Sequence, residues 1–345
     1  MWRFPFMTRV LVPEQIAGAV PWLGARVQRL RGESMGTTWQ VLWADGDAAR
    51  HDEVRAAIEA ELDLVVAQMS TWLPTSDLER FNAAPAGTRR ALPEALAEVL
   101  AAALWLADAS SGAFNPAAGA LVNLWGFGPA PRYTDPGFAP PDAAAVQAAL
   151  AGTDWRALRF DAATREATQP GGLRLDFSAI AKGHAVDRVA RRLGELGIAH
   201  TLVEVGGELL GQGLRPDGMP WWVDLETPPV GSGHARPRAT RVALHGLSVA
   251  TSGDYRRAYL HGGWRLPHSL DPRTGQPVAH GLASVSVLHA ECLWADAWST
   301  ALTVAGREAG VALAEAHGIA ALFVQREPDG CLTETLTSAM ERLAG

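Results

Sequence analysis

Cysteine is almost missing from this chain: Cys292 and Cys331 are the two it has in 345 residues. They are widely separated and form no Cys-x-x-Cys pair, so neither a disulfide framework nor a thiolate metal site is indicated. Excess positive charge is missing too. The 30 Lys and Arg set against 37 Asp and Glu leave a net charge of −7. Without a basic stripe to displace counterions from phosphate, broad nucleic-acid binding is excluded. An anionic small ligand has to be held locally, by glycine-loop amides or by a metal. Long apolar runs are absent as well, and no window approaches the ~20 residues that a transmembrane segment needs. The opening MWRFPFMTRVLVPEQIAGAVPWLGARVQRLRG has no uninterrupted apolar stretch, no small-residue cleavage site and no lipidatable cysteine. Residues 1–30 read as a peripheral lead-in and residues 31–345 as one domain, or two intimately packed subdomains, with a cytoplasmic location by default.

What is present suits a globular core. Hydrophobic residues make up 48% and charged residues 19%, and a chain of this length buries most of its apolar surface without a staple. Alternation predicts a strand over residues 38–43. Asp47 or Asp52 then caps a helix running to about Met69, with Val54, Ile58, Leu62, Val65 and Met69 at helical spacing. Pro93 opens a helix over 95–110 that Gly112 stops. Residues 129–141 read as a Pro- and Gly-rich surface excursion, and residues 228–237 as a loop. Short strands are expected at 158–160 and 173–177, then a helix over 180–196. Strands follow at 200–205, 221–225, 241–249 and 283–288, helices at 293–304 and 307–316, and a last strand at 320–324. Neighbouring strands joined by short turns, with helices in clusters, predict an α+β fold of mainly antiparallel sheets rather than a doubly wound one.

Two distant stretches each look like half of one anion-and-metal site. Asp296 and Thr300 are four apart on a predicted helix, so their oxygens share one face, and a carboxylate with a hydroxyl suits Mg2+. ATSGDYRR ends a β-branched strand in a Ser-Gly turn, exposing hydroxyls and amides before two arginines. HSLDPRTGQP supplies His268, suited to proton transfer near neutral pH, and Asp271. In the other half, Gly206 and Gly207 end the strand LVEV where a flat ligand or a pyrophosphate can approach main chain. Lys182 opens a helix against the dipole, which points to an anionic partner. Each feature also has an ordinary reading: Asp296 complementing its helix dipole, Asp271 bonding its own turn, the glycines forming a bulge.

Taken in order, SMGTT (34–38), MSTWLPTSDLERFN (69–82), SGAFNPAAGALVNLWGFG (111–128), LDFSAIAKGHAVD (175–187), VEVGGEL, ATSGDYRR, HSLDPRTG and ADAWST resemble the FAD:protein FMN transferase family, also called ApbE. The resemblance spans residues 34–300. It implies an arrangement related to the T-fold and a Mg2+-dependent cleavage of FAD, with FMN passed to a Thr or Ser hydroxyl of a target flavoprotein and AMP released. Carried over residue by residue, Asp296 and Thr300 match the metal-binding side chains, and the Ala179 carbonyl matches a third ligand. His268 matches the histidine implicated in catalysis, with Asp271 its neighbour. Met35, Trp72, Asp187, Glu204, Gly206, Gly207, Ser252, Asp254 and Arg256 fall in segments lining the FAD site, where Lys182 and Arg256 add positive charge. The chain departs from the family pattern in Trp72 for a common Tyr, Asn115 for a usual Asp, and Glu204 and Glu208 for the frequent Asn and Asp. With the same site, hydrolysis of FAD to FMN and AMP, or flavin binding without turnover, are the competing readings.

Overall fold

The computed structural model describes residues 8–18, 20–21, 24–45, 50–230, 238–254 and 258–344. Its centre is an eight-stranded sheet of β1 (Arg26–Ser34), β2 (Thr37–Asp45), β3 (Thr201–Val205), β4 (Glu208–Gln212), β5 (Leu247–Gly253), β6 (Leu282–His289), β7 (Ala320–Arg326) and β8 (Leu332–Leu336). Strand order in space follows order in the chain, and every neighbour is antiparallel. Short turns make three of its seven connections, β1 to β2, β3 to β4 and β7 to β8, and the other four carry helices or further strands. Met35 and Gly36 join β1 to β2 with φ of 53° and 70°, the two-residue turn whose twist matches the strands. Gly206 and Gly207 do the same for β3 and β4, with φ of 67° and 104°.

Five longer helices are α1 (His51–Met69), α2 (Glu94–Ala109), α3 (Ala181–Glu195), α4 (Cys292–Ala305) and α5 (Arg307–Ala316). In α1 the buried residues Val54, Ala57, Ile58, Leu62, Val65 and Met69 form one stripe. No aspartate caps it: the residue before the helix is Arg50, without a side-chain cap bond, while Asp52 sits in the first turn, and Asp47 lies outside the described residues. The helix α4 is buried almost all round, because β5 and β6 lie on one side of it and α3 and α5 beside it.

Both faces of the sheet are covered, and the period-2 alternation decides which residue goes where. Val203, Val205, Leu210, Ala250, Val285 and Val287 join the helices in the larger core. Leu202, Val249, Leu288, Leu322 and Val324 point to the other face. That face is covered by a three-stranded sheet of Arg9–Leu11, Thr240–Leu244 and Trp221–Asp224, and by the short helix Ser338–Arg342, whose Met340 is buried there.

Mixed helices and antiparallel sheets are what the sequence predicts, with four corrections. Part of the expected lead-in is core: Arg9–Leu11 pairs in parallel with Thr240–Leu244, and Leu11 is fully buried. The single strand expected over 241–249 breaks at Gly246, φ 61°, into two strands that serve different sheets. After Ala320–Arg326 the chain goes on to β8 and Ser338–Arg342. Residues 173–177 alternate in burial like a strand but form only one bridge, Arg174 to Ala118. Buried Asn82 takes the place of a partner strand, donating to the Leu175 carbonyl at 2.9 Å and accepting its N–H at 2.8 Å. Much of the loop expected over 228–237 lies outside the described residues.

Candidate active site

The site forms where α3 and α4 meet the ends of β4 and β5. At Gly183 the two helices touch. A Cβ there would stand 2.2 Å from the Cys292 carbonyl oxygen and 2.8 Å from the Asp296 Cβ, so only glycine permits the approach. The Gly183 N–H donates to Asp296 Oδ2 at 3.0 Å, which fixes a buried carboxylate and satisfies a first-turn amide together. Ala179 lies two residues before the start of this helix, and the Gly183 N–H that a regular turn would direct to its carbonyl goes to Asp296 instead.

Around Asp296 the polar groups are dense. Ser252 Oγ, on β5, lies 3.2 Å from Thr300 Oγ1 and 2.8 Å from Ser299 Oγ. Ser299 in turn donates to the Asp296 carbonyl at 2.8 Å. From α3, the Lys182 ammonium is 2.6 Å from Glu208 Oε1 and 3.6 Å from Asp296 Oδ1. Burial pushes the Glu208 carboxyl up to about 7, against the pull of Lys182 and with a push from Asp296. Burial opposes the Lys182 charge, yet Asp296 and Glu208 outweigh it and hold the ammonium above the usual lysine value.

The sequence-predicted residues separate into groups. Asp296, Thr300, Ser252 and Lys182 meet in this cluster. Gly206 borders it, since a Cβ there would come within 3.2 Å of Lys182 Cδ and 2.9 Å of Thr37 Cγ2. Its N–H donates to the Thr38 carbonyl at 3.0 Å, which brings the Met35 hairpin alongside. Glu204 accepts the Gly207 N–H at 2.8 Å and so braces the glycine turn. Asp187 spends both oxygens on the first amides of α4, those of Cys292 and Leu293, at 2.8 Å each. It caps the helix that carries Asp296 and Thr300. Burial nonetheless pushes its carboxyl up to about 6, against the two amide bonds.

Asp254 follows the last residue of β5 with a carboxyl raised by burial and partly compensated by Arg326, 3.8 Å away, and Arg265. Arg265 also donates to the Asp254 carbonyl at 2.9 Å. That bond ties the hairpin Ala258–His261 and Trp264–Pro267, and hence His268 at its end, to the tip of β5. The His268 ring stands edge-on to Phe127 at 6.2 Å. Asp271 binds Arg273 through both oxygens, at 2.8 and 2.9 Å, and its carbonyl accepts from Gly275; its carboxylate orders its own turn. Trp72 stands 53% exposed on the loop after α1, outside the hydrogen-bonded cluster, and Arg256 lies outside the described residues.

Sequence reasoning passed over Glu208 as a site residue. The available signal was period 2: Glu208 and Leu210 fall on the same inward face of β4, so a carboxylate was being sent into the core. Asn115 is a structural residue. Its amide donates to the Thr153 carbonyl at 2.9 Å and its oxygen accepts the Ala117 N–H at 2.8 Å, and an ionised aspartate lacks the donor for the first bond.

Comparison with known proteins identifies the family. A model of the ApbE family matches residues 35–323. The FAD:protein FMN transferase of Haemophilus influenzae is 36% identical over 325 residues, 92% of either chain. That of Klebsiella pneumoniae is 35% identical over 309 residues, 88% of this chain and 86% of its own. Among solved structures, the flavinyl transferase ApbE of Pseudomonas stutzeri in its apo form superposes with a TM-score of 0.83 at 42% identity, covering 93% of this chain and 98% of that one. The flavin transferase ApbE of Vibrio cholerae gives 0.83 at 33% identity over 92% and 99%. With a family match over most of its length and relatives above 30% identity across nearly all of it, this chain belongs to the ApbE family.

Proposed function

We propose that this chain cleaves the pyrophosphate of FAD and attaches FMN through a phosphoester bond to a Thr or Ser hydroxyl of a target flavoprotein, releasing AMP, with Mg2+ at Asp296 and Thr300. The observation that carries this reading is the junction of α3, α4 and β5. There Lys182 meets Asp296 from 114 positions away, and Ser252 meets Thr300 from 48.

The donor set fits a hard cation. Asp296 contributes a carboxylate, Thr300 a hydroxyl and Ala179 a main-chain carbonyl. Among the described residues no three His, Cys, Asp or Glu side chains gather as a metal-ligating group. That disfavours zinc-type ligation and suits an ion that takes few protein ligands and completes its shell with water and phosphate. Glu208 and Asp296 together place two carboxylates beside one ammonium, and the surplus negative charge attracts a cation. When bound there, the ion supplies charge neutralisation for the pyrophosphate oxygens.

The remaining work falls to the chain. The glycine turn at 206–207 lets a flat ligand or a phosphate approach main chain, while Lys182 offsets phosphate charge. His268 takes the proton of the incoming hydroxyl as its oxygen bonds to the FMN phosphorus and the bond from that phosphorus to the bridging oxygen breaks, with AMP as leaving group. Asp271 and its Arg273 partner hold the turn after His268. Met35 and Trp72 offer soft and aromatic surface to the isoalloxazine.

The test is direct. The protein is incubated with FAD, Mg2+ and an acceptor flavoprotein carrying a candidate Thr, and the acceptor is weighed by mass spectrometry while AMP is counted. An acceptor heavier by one FMN, with matching AMP, is the expected result. FMN and AMP released free, with the acceptor unmodified, would make the chain a hydrolase instead.

A further inference from the structure

Lys182 is the only lysine in the 345 residues; taking it from the 30 Lys and Arg leaves 29 arginines. A chain that uses arginine at every other basic position keeps a lysine at a point where a cation stands between two buried carboxylates. The two side chains are not equivalent. An ammonium is a compact charge on a flexible stem, free to move between partners, whereas a guanidinium is a wide planar fork that would span both. Lys182 also sits in the first turn of α3, at the helix end that repels positive charge, so the carboxylates must hold it there.

They hold it unequally. Nζ lies 2.6 Å from Glu208 Oε1 but 3.6 Å from Asp296 Oδ1: a direct charge-assisted hydrogen bond on one side, a looser ion pair on the other. Glu208 is 4% exposed, and its other oxygen, Oε2, has no hydrogen-bond partner. The oxygen that is held is the one facing the lysine. Gly206 closes the far side, since a Cβ there would come within 3.3 Å of Glu208 Oε2 and 3.2 Å of Lys182 Cδ. The ammonium thus has two stations, Glu208 and Asp296. Resting on the metal reading of Asp296 given above, we infer that Glu208 is a positioning residue that draws Lys182 away from Asp296, so that a divalent cation meets an aspartate oxygen not already taken by the ammonium.

The experiment measures divalent-cation affinity and lysine environment, independently of FMN transfer. Mn2+ binding to the full chain is titrated for the wild type, Glu208→Gln, Lys182→Met and the double variant. With Glu208→Gln, the ammonium keeps Asp296 as its one anionic partner and competes with the ion. Mn2+ affinity is expected to fall about 10- to 100-fold, the usual range for loss of a residue that orients a metal ligand. Removing the competitor as well, in the double variant, brings the affinity back to near wild type, and Lys182→Met alone binds more tightly. Because there is one lysine, protein labelled with [ε-13C]lysine gives a single side-chain signal. In the wild type this signal changes little on adding Mg2+; in Glu208→Gln it shifts as the ion displaces the ammonium. Wild-type Mn2+ affinity in Glu208→Gln, no recovery in the double variant, or looser binding by Lys182→Met would each overturn the inference. If the wild type transfers FMN and binds Mn2+ while Glu208→Gln binds it equally well, the positioning role alone fails. If the wild type shows no saturable Mn2+ binding, the metal reading and this inference fall together.

Discussion

The Asp187 carboxylate accepts the Leu293 N–H at 2.8 Å, and through that bond α3 holds the first turn of α4. Asp296 follows one turn later. One helix therefore positions the other's site residues twice, by the Asp187 cap and by the Gly183 amide on Asp296. Replacing Asp187 by Ala strands the Cys292 and Leu293 amides and is expected to cost about 1–2 kcal/mol of stability, the range for a lost N-cap. Asn, which keeps one acceptor, should cost less. Urea denaturation orders the three proteins, and equal midpoints would show that the cap holds nothing.

Asp187 and His184 sit three apart on α3 and titrate in opposite senses. Burial lifts the Asp187 carboxyl from 3.8 to about 6. Between those values the folded chain holds a proton that the unfolded chain has released, so this contribution to stability falls as pH rises through the window. His184 is buried, and burial with the charges of Arg188 and Arg191 takes its ring from 6.5 to about 3. Below 6.5 the unfolded chain binds a proton that the folded chain refuses, so this contribution rises with pH. From about pH 4 to pH 6 the two slopes oppose each other, each at most about 1.4 kcal/mol per pH unit. Stability measured across that range should tilt upward with pH in Asp187→Asn and downward in His184→Gln, relative to the wild type. Parallel curves for all three would refute the assignment.

Several central strands, the principal helices and the placement of Asp296 and Thr300 on one helix were legible because each rests on a local period: two for β6, 3.6 for α1, four residues for the pair. What escaped depends on partners far away in the chain. Leu173, Leu175 and Phe177 alternate as strand residues do, but whether a strand forms is decided by a neighbour, and the neighbour is one asparagine 93 residues earlier. Leu11 falls in the stretch read as a peripheral lead-in, and its burial depends on Thr240–Leu244 pairing with its strand. Asp187 looked like a ligand contact because α4, whose amides it accepts, begins 105 residues later. Period 2 sends Glu208 to the inward face of β4, but its partner Lys182 lies 26 residues earlier on a helix.

The Asn82 substitute for a strand partner is open to test. Its amide meets both backbone groups of Leu175 in a buried setting. Asn82→Ala leaves a carbonyl and an N–H without partners at about 1–3 kcal/mol each, and Asn82→Asp keeps the acceptor for the Leu175 N–H but loses a donor that also serves Glu79 Oε1 at 2.9 Å, setting a buried carboxyl beside that glutamate. Denaturation midpoints should fall for both, and amide hydrogen exchange at Leu175 should quicken in Ala while staying slow in Asp. An unchanged Leu175 exchange rate in Ala would mean that another group holds the segment.

Met35 occupies the first central position of the β1–β2 turn at φ 53°, where asparagine or glycine is favoured and an ordinary side chain is strained by about 1 kcal/mol or more. Its side chain packs partly against the main core, so two effects must be separated. Met35→Ala loses the packing and keeps the strain; Met35→Asn loses the packing and relieves the strain. Asn should therefore be the more stable of the two by about 1 kcal/mol, read from denaturant midpoints. Both variants lack the thioether proposed to face the isoalloxazine, so both should bind FAD several-fold more weakly than the wild type. An Asn variant that matches Ala in stability would mean that the turn carries no strain. One that binds FAD as the wild type does would take Met35 out of the flavin wall, leaving the strained residue without a purpose at the tip of the hairpin.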